Sequence, residues 1–301
     1  MTQRSSSEIP TFHQIDMAAH EVPAALDHVI VLLPHRELRD PPKWLTDSFT
    51  ITNGGRHADG KTENKLIVFQ DGSYIELIAF IDDLPENRSG HWWGTRPPGI
   101  IDWAFTTNLN YSTHQVIIST LLADIQSKIP NPSSRNGWLS YATPQTGGRT
   151  RPDGTKLEWA VTFPTCTVIN GTEEIRPVNL PFFCHDITTR EKRVEGTTNH
   201  PCGATGIREL RILVDGSCLD AYSSYAGAVL TAEPENTADG GKKLAVGTPN
   251  GTGSSVIFMP ATTDAEKMQV NEHQFALKEL VFNFKSGDGA DAITFSYPPA
   301  Q

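Results

Sequence analysis

The chain is short of cysteine, of basic residues and of long apolar runs, and each shortage removes a class of function. Four cysteines (Cys166, Cys184, Cys202, Cys218) stand in 301 residues. None forms a CxxC pair, so structural zinc and a disulfide framework are both disfavoured, and reduced thiols in a cytoplasmic setting are expected. Lysine and arginine number 25 against 35 aspartate and glutamate, a formal net charge of -10. An acidic chain repels phosphate backbones, which argues against nucleic acid as a partner. No apolar run approaches the roughly 20 residues that span a bilayer, and Met1 to Pro10 has no apolar core, so neither a membrane anchor nor a secretory signal is expected. GxGxxG, P-loop and Ser-His-Asp patterns are missing, which leaves dinucleotide binding, phosphoryl transfer and acyl hydrolysis without support.

What is present is a strand-and-loop chain. Hydrophobic residues make up 38%, enough for a core, and 24 glycines with 21 prolines favour many turns over long helices. Leu26 to Leu33 reads as a strand, Pro34 to Phe49 as a short helical piece broken at Pro41-Pro42, and Phe49 to Asn53 as extended up to a Gly54-Gly55 turn. Lys65 to Gln70 and Ser73 to Phe80 flank Asp71-Gly72, a strong hairpin signal. The order is β, short helix, β, β, β, and it recurs. Gly99 to Phe105 starts a second unit, Ser112 to Ile129 has a helical period, and Trp138 to Tyr141, Leu157 to Phe163 and Leu180 to Ile187 are strands. Gly206 to Val214, a helix near Ser217 to Leu230, and strands at Ser255 to Met259 and Ala276 to Phe284 make a degenerate third unit. Residues 1-22 are expected as an arm, 23-196 as the two-unit domain, and 197-301 as an α+β extension packed on it.

Two strands carry ionisable groups in apolar rows. Alternation puts His28 with Ile30, and Glu76 with Tyr74 and Ile78. A charged glutamate is rarely buried without a partner, so side by side these strands would pair an imidazole with a carboxylate. That pair begins a metal site or an acid–base pair; it also fits a plain His–Glu staple between strands. His57 follows a glycine pair that allows close approach, and with Thr62 and Asn64 it forms a polar loop suited either to substrate or to bracing. Trp92, Trp93 and Trp103 could wall a pocket or pack between units. His185 alternates with Phe183, opposite Cys184 and Asp186. A salt bridge to Arg211 accounts for Glu209.

In combination these pieces resemble the glyoxalase-like branch of the vicinal oxygen chelate superfamily, in its fungal type. The matching runs are Leu26-Asp27-His28-Val29, Gly54-Gly55-Arg56-His57 with Thr62 and Asn64, Tyr74-Ile75-Glu76-Leu77, Trp92-Trp93-Gly94, Asp102-Trp103-Ala104, Leu180-Pro181-Phe182-Phe183 and His200-Pro201. The resemblance implies an α+β fold in which paired βαβββ modules form an open cup of curved sheet, with the degenerate third module at the C-terminus. It implies metal ligands on the first and last strand of each module. Carried over, these are His28 and Glu76 in the first module. In the second, the first-strand position falls at Trp103, which cannot ligate, and the last-strand position falls at His185. The set His28, Glu76 and His185 would hold a divalent ion (Zn, Fe, Mn, Ni or Mg) with open positions for water or substrate. Glu76 and His57 are the expected catalytic groups. Thr62, Asn64, Trp92, Trp103 and Phe183 are the expected substrate contacts.

Three functions stay open on this basis. One is a metal-dependent lyase or isomerase acting on a small carbonyl- or hydroxyl-bearing molecule, in detoxification or secondary metabolism. Another is a non-haem Fe(II) dioxygenase. The third is a metal-free protein that binds or sequesters a small molecule. A small-molecule substrate is the expected partner, and a homodimer is left open.

Overall fold

The computed structural model describes residues 24–107, 138–167, 174–175, 180–196, 198–273, 276–284 and 294–295. The expected N-terminal arm and the expected helix at Ser112 to Ile129 lie outside them. Ala25–Leu32 (β1) is rich in β-branched and aliphatic residues and is buried almost throughout. His35–Arg39 (α1) and Lys43–Thr46 (α2) are short helices on either side of Pro41-Pro42. Thr52–His57 (β2), Thr62–Val68 (β3) and Tyr74–Phe80 (β4) complete the first module. β4 runs parallel to β1, β3 antiparallel to β4, and β2 antiparallel to β3. The expected hairpin at Asp71-Gly72 is formed, with Gly72 at φ 82 and the Asp71 carboxylate accepting from Ser73 N–H.

One expected turn is absent. Gly54-Gly55 lies inside β2, and its glycines serve close approach instead. A Cβ on Gly54 would sit 2.0 Å from Asn64 Oδ1, and one on Gly55 would sit 2.2 Å from the Thr150 carbonyl oxygen.

The second module contains Pro85–Arg88 (α3), Gly99–Thr106 (β5), Trp138–Tyr141 (β6), Gln145–Thr150 (β7), Lys156–Thr162 (β8), Pro164–Thr167 (β9), Glu174–Ile175 (β10) and Phe182–Asp186 (β11). β6, β9 and β10 form a separate three-stranded sheet. β11 runs parallel to β5, as β4 does to β1. Pairing of β5 with β1 and of β7 with β2 closes a ring in the order β1-β4-β3-β2-β7-β8-β11-β5. The cup is thus a curved sheet closed on itself, and closure removes exposed strand edges and encloses a cavity.

After Arg190–Arg193 (α4), the chain continues through Ala204–Val214 (β12), Leu219–Leu230 (α5), Glu235–Asn236 (β13), Lys242–Thr248 (β14), Gly251–Pro260 (β15), Asp264–His273 (α6), Ala276–Phe284 (β16) and Thr294–Phe295 (β17). The order β12-β15-β14, with β13 on β14 and β15 parallel to β12, repeats the first module. The third module is therefore a full βαβββ unit whose second strand has shrunk to β13. The sequence pattern places β16 inside this module. It runs antiparallel to β12 as β5 does to β1, so it begins a fourth unit. β14 joins β1 at Ala25, and one apolar cluster runs from Leu26, Phe49 and Phe69 to Leu210, Phe282 and Phe295. Among the described residues, no helix is long and apolar enough to cross a membrane.

Closure between β2 and β7 depends on the bare Cα of Gly55. The substitution Gly55→Ala should cost about 1–3 kcal/mol by forcing the strands apart. Urea unfolding should show it as a lowered midpoint; an unchanged midpoint would mean that this seam is slack.

Candidate active site

His28 and Glu76 stand on neighbouring parallel strands, where the register sets His28 beside Tyr74 and Ile30 beside Glu76. All four side chains face the interior of the ring. The strand pairing of β1 with β5 slips between Leu26 and His28, which makes Asp27 the extra residue of a bulge. Bulges re-aim side chains. Here the bulge lets the Asp27 carboxylate meet its own neighbour: Asp27 Oδ2 lies 2.7 Å from His28 Nδ1.

Asp27 is fully buried. Burial alone would push its carboxyl up, but Arg190, Arg193 and His28 outweigh that and hold it well below the usual carboxylate range. Arg190 Nη1 lies 2.5 Å from Oδ1 and Arg193 Nη2 lies 3.2 Å from Oδ2. An ionised carboxylate only accepts, so His28 Nδ1 carries the donating proton, and a neutral ring would present its lone pair at Nε2. Tyr74 stacks on the imidazole at 4.6 Å between centroids, and its hydroxyl accepts from Arg193 Nη1 at 2.7 Å. The ring is thus fixed in both tautomer and tilt.

Glu76 sits between two histidines. Its Oε2 is 3.6 Å from His28 Nε2, and its Oε1 is 3.4 Å from His57 Nε2. Asn64 Nδ2 donates to Oε1 at 2.5 Å, while Thr62 Oγ1 lies 2.7 Å from His57 Nδ1. Burial works against the Glu76 charge, yet the hydrogen bond and charge of His57, the charge of His28 and the Asn64 amide together bring its pKa down to about 2. The sequence places His57 on a rim; in the structure it reaches the central carboxylate directly.

These groups line one side of a cavity of about 280 Å³. Trp92, Trp93, Trp159, Phe163 and Phe182 supply its apolar walls, with Trp92 at the surface, 44% exposed. A mostly apolar cavity with a few convergent polar groups is the usual form of a ligand site.

Three expected site residues lie elsewhere. On β11, Phe182 and Cys184 line the cavity, so alternation turns Phe183 and His185 to the opposite face. His185 Nε2 meets Thr107 Oγ1 at 3.1 Å, and its ring stacks on Phe183. His185 is therefore not a partner of His28 and Glu76, and Phe183 belongs to the core. Trp103 is fully buried against Phe105 in the same core. The residue facing His28 from β5 is Ala104. Sequence reasoning missed Asp27, Tyr74, Arg149, Arg193 and Cys184. Asp27 beside His28 was the available clue, since a carboxylate commonly orients a functional imidazole.

The donor set can be tested for fit to a divalent ion. At 3.6 Å, His28 Nε2 and Glu76 Oε2 are too far apart to hydrogen-bond, and in the neutral form with the proton on Nδ1 a bare lone pair would face a carboxylate. A cation between them removes that repulsion, so these two residues fit as ligands. Asp27, His28 and Cys184 also bring candidate ligand atoms within 4.8 Å of one another. Asp27 is already engaged by two guanidinium groups, and burial pushes the Cys184 thiol up, so this trio is the poorer set.

A family model described as a glyoxalase-like domain matches residues 26–223. The chain belongs to the glyoxalase-like domain family. No curated protein matches the sequence significantly. Among solved structures, a hypothetical protein from Staphylococcus aureus is similar at 15% identity and a TM-score of 0.53, covering 80% of this chain and 87% of that one. A 4-hydroxymandelate synthase variant from Streptomyces coelicolor (11% identity, TM-score 0.40, 87% of this chain and 71% of that one) and glyoxalase I from Zea mays (13%, 0.35, 84% and 73%) are also similar. Only the first likeness exceeds a TM-score of 0.5, and it carries the shared fold. In this glyoxalase-like chain the third module has diverged at the site. By strand register Glu209 and Arg211 take the places of His28 and Ile30, and Arg211 pairs with Glu209 and Glu279 at 2.6 Å each.

The low pKa of Glu76 has a signed consequence for stability. A carboxyl held at about 2 against an ordinary 4.5 contributes fully above pH 4.5, and the contribution fades as pH falls toward 2. The Glu76 carboxyl resonance in carbon NMR should titrate near the lower value in metal-free protein. In His57→Gln it should move up toward the ordinary value; no movement would mean that His57 does not hold the charge.

Proposed function

We propose that the cavity is the active site of a lyase or isomerase that moves a proton next to a carbonyl or hydroxyl group of a small, partly aromatic molecule. The observation that carries this reading is the convergence of His28 Nε2 and His57 Nε2 on the two oxygens of one buried carboxylate, on one side of a largely apolar cavity. His28 and Glu76 are the residues that would hold a divalent ion. When bound, such an ion polarises a substrate oxygen and offsets developing negative charge. Asp27 holds the proton of His28 on Nδ1 and keeps Nε2 turned inward, so that the neutral ring would offer Nε2 as the ligand atom. His57, anchored through Nδ1 by Thr62, offers Nε2 as the group that takes or returns the proton. Asn64 holds Glu76 in place, and the tryptophan walls restrict water.

A metal-free binding role is the second reading, and a specific observation favours it. From the second module the cavity receives Phe182 on β11, which by register takes the place that Glu76 has in the first module and cannot ligate. The dioxygenase reading drew on a ligand set that included His185, which faces away.

Calorimetric titration of tag-free protein with Zn, Mn, Ni, Fe and Mg separates these readings. The wild type should bind one ion per chain. His28→Gln and Glu76→Gln should weaken binding by about 100-fold or more, and His185→Gln should leave it unchanged. Deuterium wash-in to a panel of small aryl ketones, followed by proton NMR, should fall in His57→Ala while the ion is retained. Wild-type protein that takes up none of these ions would put the binding role first. Full affinity in Glu76→Gln would remove that carboxylate from the ligand set.

A further inference from the structure

Two guanidinium groups line the cavity, and their surroundings differ. Arg193 is neutralised: it meets Asp27 at 3.2 Å and hydrogen-bonds the Asp186 carboxylate as well. Arg149 has no such partner. It is 6% exposed, and among the described residues it forms no ion pair. Its Nη1 donates to Asn64 Oδ1 at 3.3 Å and its Nη2 to the Arg193 carbonyl at 2.6 Å, both neutral acceptors. Its Nε is buried with no hydrogen-bond partner. The Asn64 side chain stands between Arg149 and Glu76, taking the guanidinium on its oxygen and giving its N–H to the carboxylate. Burial works against the Arg149 charge, and the Glu76 carboxylate only partly opposes that.

A buried cation with a free donor and only neutral acceptors is costly, and a protein keeps one where an anion completes it. The position suits that role. Arg149 is the cross-strand neighbour of His57, so it stands beside the proton-handling group. Gly147 and Gly148, just before it on β7, also line the cavity, and the bare Cα of Gly147 lets the Trp159 indole pack against the strand as an apolar wall beside Arg149. Other walls carry Trp92, Phe163 and Phe182.

We infer that Arg149 receives the carboxylate of the ligand, so that the site takes a small aryl- or alkyl-substituted carboxylic acid with its apolar body against the tryptophans. The planar guanidinium fork matches a carboxylate, and in a dry cavity the pairing discriminates strongly against a neutral isostere. This inference rests on reading the cavity as the ligand site. It does not require the ion.

The test uses protein treated with a chelator, so that no metal can take the carboxylate, and follows quenching of the cavity tryptophans. The probes are benzoate, its neutral isostere benzamide, and inorganic phosphate. Wild-type protein should bind benzoate about tenfold or more tightly than benzamide. Arg149→Gln should erase that preference while keeping benzamide affinity, which doubles as a check that the cavity is intact. Arg149→Lys should keep part of the preference. The inference is overturned if benzoate and benzamide bind wild type equally, if neither saturates, if phosphate binds as well as benzoate, or if Arg149→Gln keeps the preference. Ion titration of Arg149→Gln runs in parallel. A carboxylate preference in protein that takes up no ion would end the chelate reading and leave this one standing; the reverse pattern would do the opposite.

Discussion

The buried charge of Asp27 is the constraint on which the site depends. A carboxylate removed from water is tolerated only if its charge and lone pairs are answered. Arg190 and Arg193 answer the charge, and His28 Nδ1 takes the remaining acceptor. Both arginines come from α4, which follows the last strand of the second module. A histidine on the first strand is therefore oriented by a segment more than a hundred residues later, as the Arg193 to Asp27 separation of 166 records. Arg193 also meets Tyr74, which stacks on the same imidazole. Removing one arginine would leave a charge uncompensated and would loosen the ring it steers.

Much of the fold was legible because it follows from alternation and turn chemistry. β1, β4, β5, β11 and β12 were read from apolar rows, and the hairpin at Asp71-Gly72 from its residues. The Gly54-Gly55 pair was misread as a turn because glycine marks a turn and a crowded backbone alike. Only the register, with Asn64 and the Thr150 carbonyl pressed against these glycines, separates the two. β16 was placed in the third module because a strand's sequence does not state its partner.

The site was half legible. The shared face of His28 and Glu76 follows from period-two alternation on strands whose neighbours are apolar. The alternation on β11 was also read correctly, with His185 and Phe183 on one side and Cys184 on the other. Which side faces the cavity depends on how the ring closes, and both sides are apolar enough to be core. Trp103 has the same cause: the bulge at Asp27 brings Ala104, not Trp103, opposite His28. Arg149 and Arg193 were illegible because nothing local distinguishes a buried arginine from a solvated one.

Asp27 forces the neutral His28 ring into one tautomer, with Nε2 bare and turned toward Glu76. Nitrogen NMR of imidazole-labelled protein measures this directly. In metal-free protein, at a pH where the ring is neutral, the His28 resonances should report a protonated Nδ1 and an unprotonated Nε2, and added zinc should shift Nε2 and spare Nδ1. A proton found on Nε2 of a neutral ring, or a zinc shift confined to Nδ1, would contradict the claim.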